Sequence, residues 1–157
     1  MRAFAVLVLA AAGARGQSAP TPDDHRATLE IGAATERGIG TSSSSVGGAV
    51  AVEFTPIERW LEMETGITAL QHELSVDLLF KKPWRLSATS EFMAGIGPEL
   101  SHRSGGGTSL ATEIVADWMF WPTKNVGWYL EPSYSVTAIS GGERNLGMAA
   151  GLLIGFP

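Results

Sequence analysis

The chain of 157 residues contains no cysteine. That excludes a disulfide framework, a cysteine-ligated zinc site and a lipoprotein cysteine. Lysine occurs only at Lys81, Lys82 and Lys124, and charged residues make up 17% of the chain. A soluble surface normally carries more of both. No basic patch is present, which argues against a nucleic-acid partner. Glycine-rich phosphate loops, His-Glu metal motifs and Gly-x-Ser-x-Gly elbows are also missing. The only continuous apolar run, Ala3 to Ala12, is about ten residues, half of what a membrane-spanning helix needs. A membrane location would therefore require strands closed into a barrel, because open strands leave backbone groups unpaired in lipid.

That apolar run follows Arg2 and is followed by small residues through Gly16, the layout of a cleaved signal peptide over residues 1–16. Ala14-Arg15-Gly16 offers a cleavage site, with Ala19 as a second. Removing the segment leaves nine basic residues against sixteen acidic ones, a net charge of −7. Residues 17–25 are polar, contain Pro20 and Pro22, and read as a flexible lead-in to a single domain over 26–157.

From residue 26 onward apolar and polar residues alternate with the period of a strand. Eight segments emerge, near 26–35, 47–54, 60–70, 73–81, 85–97, 109–121, 127–138 and 145–156. Short turns are expected at Pro56, at Lys82-Pro83-Trp84 and at 122–126, and longer loops at 36–46 and 98–108. The fold class is all-β, an eight-stranded antiparallel up-and-down transmembrane β-barrel.

Alternation does not say which face is inside. A soluble lipocalin-like periplasmic barrel with an apolar ligand cavity stays open as an alternative. Three features favour lipid. With both termini at one end, Trp60, Trp84, Trp118, Phe120, Trp121, Trp128 and Phe156, together with Phe54 and Phe80, gather at a single rim, as an interfacial aromatic girdle does. The turns at that rim are short and two of the opposite loops are long. The polar face is built of small residues, which suit a narrow lumen.

Parity directs Glu30, Glu53, Glu62, Glu64, Asp77, Glu91, Glu113, Asp117 and Glu131 to the lumen, facing Arg26, Lys81 and Arg85. Unpaired carboxylates in a filled lumen are costly. Some are expected to pair with Arg85, some to hold a proton and some to meet water or a cation, as a salt-bridged plug or a narrow cation path.

One catalytic alternative stands apart. His102 and Ser104 form a His-x-Ser pair, and Glu113 could orient the histidine, the elements of a lipid A or phospholipid acyl hydrolase. The three glycines after Ser104 suit a mobile loop better than a fixed site, and Glu113 carries the opposite parity. His25 and His72 read as surface histidines.

The C-terminal half resembles a family of small bacterial outer-membrane barrels of OmpA/OmpX-like architecture. The resemblance rests on Gly95-Ile96-Gly97-Pro98-Glu99 with His102, on Asp117-Trp118-Met119-Phe120-Trp121-Pro122, on Gly127-Trp128-Tyr129-Leu130-Glu131-Pro132 and on Gly151-Leu152-Leu153-Ile154. It spans roughly residues 91–157 and implies barrel and location, but no activity. Phe156 near the end of the last strand resembles a barrel-assembly signal, with Pro157 departing from it. The expected partners are outer-membrane lipid and the barrel-assembly machinery. No cofactor or metal is expected, and the oligomeric state stays open.

Overall fold

The computed structural model describes residues 25–138 and 142–157. The expected signal peptide, and the lead-in apart from His25, lie outside the described residues. Eight strands form in chain order: β1 (Ala27–Gly38), β2 (Ser44–Ile57), β3 (Leu61–Leu70), β4 (Glu73–Arg85), β5 (Ser90–Arg103), β6 (Gly107–Phe120), β7 (Val126–Thr137) and β8 (Arg144–Phe156). Each pairs antiparallel with its neighbour, and β1 pairs with β8, so the sheet closes on itself. Closure leaves no edge strand, which satisfies the backbone without water.

The strands run longer than alternation suggests, and Pro56, Pro83 and Pro98 lie within them rather than at their ends. Pro83 belongs to β4, not to a turn. Pairing of β3 with β4 ends at Glu62↔Lys81, while β4 pairs with β5 as far as Arg85↔Glu91. Pro83 therefore sits on a one-sided extension, where a missing N–H is harmless. The actual turn is 86–89, so Leu86 and Ala88 belong to no strand.

Pro56 lies at a register shift between Phe54 and Ile57, where β2 bulges and continues. Pro98 pairs with Thr112, and Pro132 with Met148, while the ladder on their other sides lapses. With β1 running on to Gly38, β2 starting at Ser44 and β5 carried through Pro98 to Arg103, the connections 39–43, 71–72 and 104–106 are short. The expected length difference between the two ends disappears.

The face assignment follows the period of two. Leu29 and Ile31, Val50 and Val52, Val76, Ile96, Ile114 and Leu152 lie on the outer wall, and most of them are exposed. The inward positions are buried or half-buried. A lipocalin-like barrel would reverse this arrangement.

The end that carries both chain termini is called the turn end below. Met93, Met119, Leu153, Tyr129 and Trp121 form a buried cluster there. Gly32 makes room for it: a Cβ at that position would lie 2.6 Å from the Tyr129 hydroxyl.

Candidate functional site

The centre of the lumen is organised by one cation. Lys81 is an inward position of β4 and is 1% exposed. Its Nζ donates to Glu64 of β3, to Glu131 of β7 at 2.6 Å and to Asp117 of β6 at 3.3 Å. Glu53 of β2 lies 3.9 Å away. Four strands thus deliver carboxylates to the ammonium of a fifth.

The pairing is incomplete. One carboxylate oxygen each of Glu30, Glu53 and Asp117 is buried with no hydrogen-bond partner. The carboxylates of Glu30, Glu53, Glu64 and Asp117 all approach within 4.8 Å of one another. Several acids against one lysine is an excess that a low-dielectric interior tolerates only with further compensation, by shared protons or by cations.

Above this knot, toward the loop end, lies a cavity of about 60 Å³ lined by Glu36, Asp77, Glu99, Glu113 and Glu131 and by no basic residue. It has room for a few waters, and its lining can hydrogen-bond them. A wider cavity of about 210 Å³ follows at the loop end and shares Glu99. There Arg103 holds Glu73 through two hydrogen bonds, at 2.7 and 3.0 Å, and Glu143 lies 3.9 Å from it. The lumen is thus an acid-lined vestibule blocked by the Lys81 knot and, below it, by the apolar cluster.

Of the acids assigned to the lumen by parity, Glu30, Glu53, Glu62, Glu64, Glu91 and Asp117 are buried, and Asp77, Glu113 and Glu131 are half-buried. Arg85 is exposed at the turn end, opposite Glu91 in the register of β4 with β5, and its Nε donates to the Ser87 carbonyl at 3.1 Å. Its parity is inward, and two inward positions deeper along β4 Lys81 is the cation at the centre of the lumen. Glu36 and Glu99 were missed because strands one and five were cut short at 35 and 97. Carrying the alternation through Pro98 would have found Glu99.

Trp121 is a second correction. It is 2% exposed, whereas Trp118 and Trp128 stand on the outer wall. Trp121 follows the last residue of β6 and continues the inward parity of Asp117 and Met119, so its ring lies with the lumen cluster. His25 is likewise buried, not superficial. Its ring lies 4.4 Å from that of Trp121, and its Nε2 donates to the Lys124 carbonyl.

The hydrolase grouping is not assembled. His102 is exposed, with Nδ1 3.0 Å from the Thr108 hydroxyl. Ser104 sits in the following turn, and its amide donates to the His72 carbonyl at 2.9 Å. Glu113 lines the internal cavity, across the barrel wall from His102. A triad needs its members in hydrogen-bond reach.

No family model matches the chain, and no curated protein matches it in sequence. Solved structures do match in shape. Neisserial surface protein A superposes with a TM-score of 0.62 at 13% identity, over 83% of this chain and 97% of that one. The N-terminal β-barrel domain of Pseudomonas aeruginosa OprF gives 0.56 at 14%, over 81% and 97%. Ail, the attachment invasion locus protein of Yersinia pestis, gives 0.56 at 12%, over 84% and 99%. The fold of this chain is that of the small eight-stranded transmembrane β-barrels. A de novo designed transmembrane barrel shares it at 7% identity with a TM-score of 0.58, so the architecture by itself carries no activity.

Proposed function

We propose that the chain is an outer-membrane barrel with a structural or interaction role, exported by the signal peptide over residues 1–16 and inserted by the barrel-assembly machinery. The observation that carries this reading is the inverted polarity of the wall. Large apolar side chains such as Ile67, Ile96, Ile114 and Leu152 are about half exposed, while glutamates fill the interior. Only a lipid surround makes that arrangement favourable.

An even strand number leaves both termini on one side, the periplasmic side in bacterial barrels. Phe54, Trp84, Trp118, Trp128 and Phe156 are exposed toward that end and would form the interfacial girdle, with Trp60 in the adjoining turn. The Lys81 knot and the apolar cluster below it favour a plugged barrel over a conduit. Short connections at the loop end limit outward contacts to the rim. Attachment and invasion are named for Ail, not for this chain, and rim contacts are the form in which an interaction role would reach this one.

The test is fractionation of the expressed protein, followed by gel electrophoresis with and without boiling. Recovery in the outer membrane with a heat-dependent mobility shift is expected. Soluble recovery without a shift would remove the reading.

A further inference from the structure

The carboxylates at the centre of the lumen outnumber the ammonium that holds them. Lys81 is bonded to Glu64, to Glu131 and to Oδ2 of Asp117. What it leaves over is specific. Oε1 of Glu30, Oε2 of Glu53 and Oδ1 of Asp117 are each buried without a hydrogen-bond partner among the described residues. Glu53 Oε2 is 3.9 Å from the ammonium, beyond hydrogen-bond reach. In chain order the three residues are 2, 3 and 0% exposed, so bulk water does not satisfy these oxygens either. Buried polar atoms are nearly always paired, and three spare acceptors in one place call for a donor or a cation.

The three residues come from β1, β2 and β6, and they converge. Glu30, Glu53, Glu64 and Asp117 each bring one oxygen to within 4.8 Å of the others. Oxygens bound to one calcium ion at about 2.3–2.6 Å are at most about 5 Å apart, so such a set can meet around a single ion. Asp117 is placed to serve two cations, with Oδ2 on Lys81 and Oδ1 left for the second. Glu131 bonds Lys81 and also lines the 60 Å³ cavity above, so the acid-lined vestibule leads down to this point. A cavity walled by carboxylates and no basic residue raises the local concentration of cations.

We propose that the lumen binds one calcium ion between β1, β2 and β6, ligated by Glu30, Glu53 and Asp117 beside the Lys81 ammonium. Such a site needs only the closed barrel, whichever compartment holds it. Calcium accepts carboxylates through one or both oxygens in an irregular shell. Magnesium demands a near-ideal octahedron and keeps several waters, for which a filled lumen has little room. Counting Glu131, five carboxylates face one ammonium here, and a divalent ion offsets more of that excess than sodium does.

The experiment refolds the barrel into phosphatidylcholine vesicles, which carry no net charge, and measures binding of radioactive calcium by equilibrium dialysis. About one ion per barrel, with a dissociation constant on the order of 0.1 mM, is expected. Glu30→Gln with Glu53→Gln keeps the shape of both side chains and should weaken binding at least about tenfold. Glu36→Gln with Glu99→Gln, in the vestibule wall, should leave one ion bound. Both variants are first checked for the heat-dependent gel shift of a closed barrel. Where the first of them does not fold, the unmodified barrel decides: about 10 mM calcium should raise its urea midpoint by roughly 1 M, and the same concentration of magnesium by less than about 0.3 M. The Glu36 and Glu99 variant should keep that calcium shift. No calcium bound, binding unchanged by the Glu30 and Glu53 substitutions, or binding lost with Glu36 and Glu99 instead would overturn the site. A midpoint indifferent to calcium, or raised equally by magnesium, would do the same.

Discussion

Replacing Lys81 by methionine is the sharpest perturbation of this barrel. Methionine nearly preserves the volume of the side chain and deletes only the charge. The ammonium it removes is bonded to Glu64, Glu131 and Asp117 and lies 3.9 Å from Glu53, with both partners of the Lys81–Asp117 pair fully buried. Breaking a buried ion pair by removing one partner costs about 3–5 kcal/mol, since the other charge is stranded. Three bonded carboxylates stranded together place Lys81→Met at the top of that range, near 5 kcal/mol. With a urea dependence of about 2 kcal/mol per molar, the unfolding midpoint should fall by roughly 2–3 M. The assay is urea titration of the refolded barrel in phospholipid vesicles, read by tryptophan fluorescence and by gel mobility without boiling. Adding Glu64→Gln, Asp117→Asn and Glu131→Gln should restore most of the loss, because the stranded charges are then gone. A midpoint shift below about 0.5 M, or a quadruple variant no better than the single one, would falsify the account of Lys81 as the counter-ion of the lumen.

Three further outcomes follow from the same geometry. Ile114→Arg, on the outer wall midway along β6, should cost about 2–4 kcal/mol in vesicles, while Leu86→Arg, in the turn 86–89, should cost at most about 1 kcal/mol; equal costs in the two places would contradict a lipid-facing wall. Trp121→Ala should destabilise by about 3–5 kcal/mol, against little effect from Trp128→Ala, because only the first empties a buried site beside His25; midpoints in urea would separate them. His102→Ala and Ser104→Ala should each leave lipid A and phospholipid acylation in an expressing cell unchanged, as measured by mass spectrometry of extracted lipid. Loss of a deacylated species in either variant would revive the hydrolase reading.

The legible part of this protein is what depends on neighbours in the chain. A strand turns successive side chains to opposite sides, so Leu29 and Ile31 against Thr28 and Glu30 already separates wall from lumen, and the same holds in all eight segments. The number of strands and the class of barrel follow from that pattern and from the lack of any long apolar helix. Strand ends were less legible. Proline reads as a stop, but Pro83 and Pro98 are each accommodated where one neighbouring strand is absent or its ladder lapses, and that depends on the pairing of other strands.

Closure decided the rest. Glu64, Asp117 and Glu131 are 17, 36 and 50 residues from Lys81, and nothing local says that they meet. The stagger of strands around a closed sheet sets the height at which each inward side chain reaches the axis, and it brought these four together while leaving Arg85 at the rim. Alternation already turns Trp121 inward with Asp117 and Met119, but only closure brings His25, from the other end of the chain, against its ring. Periodicity along one strand chooses a face; only the closed register chooses a partner.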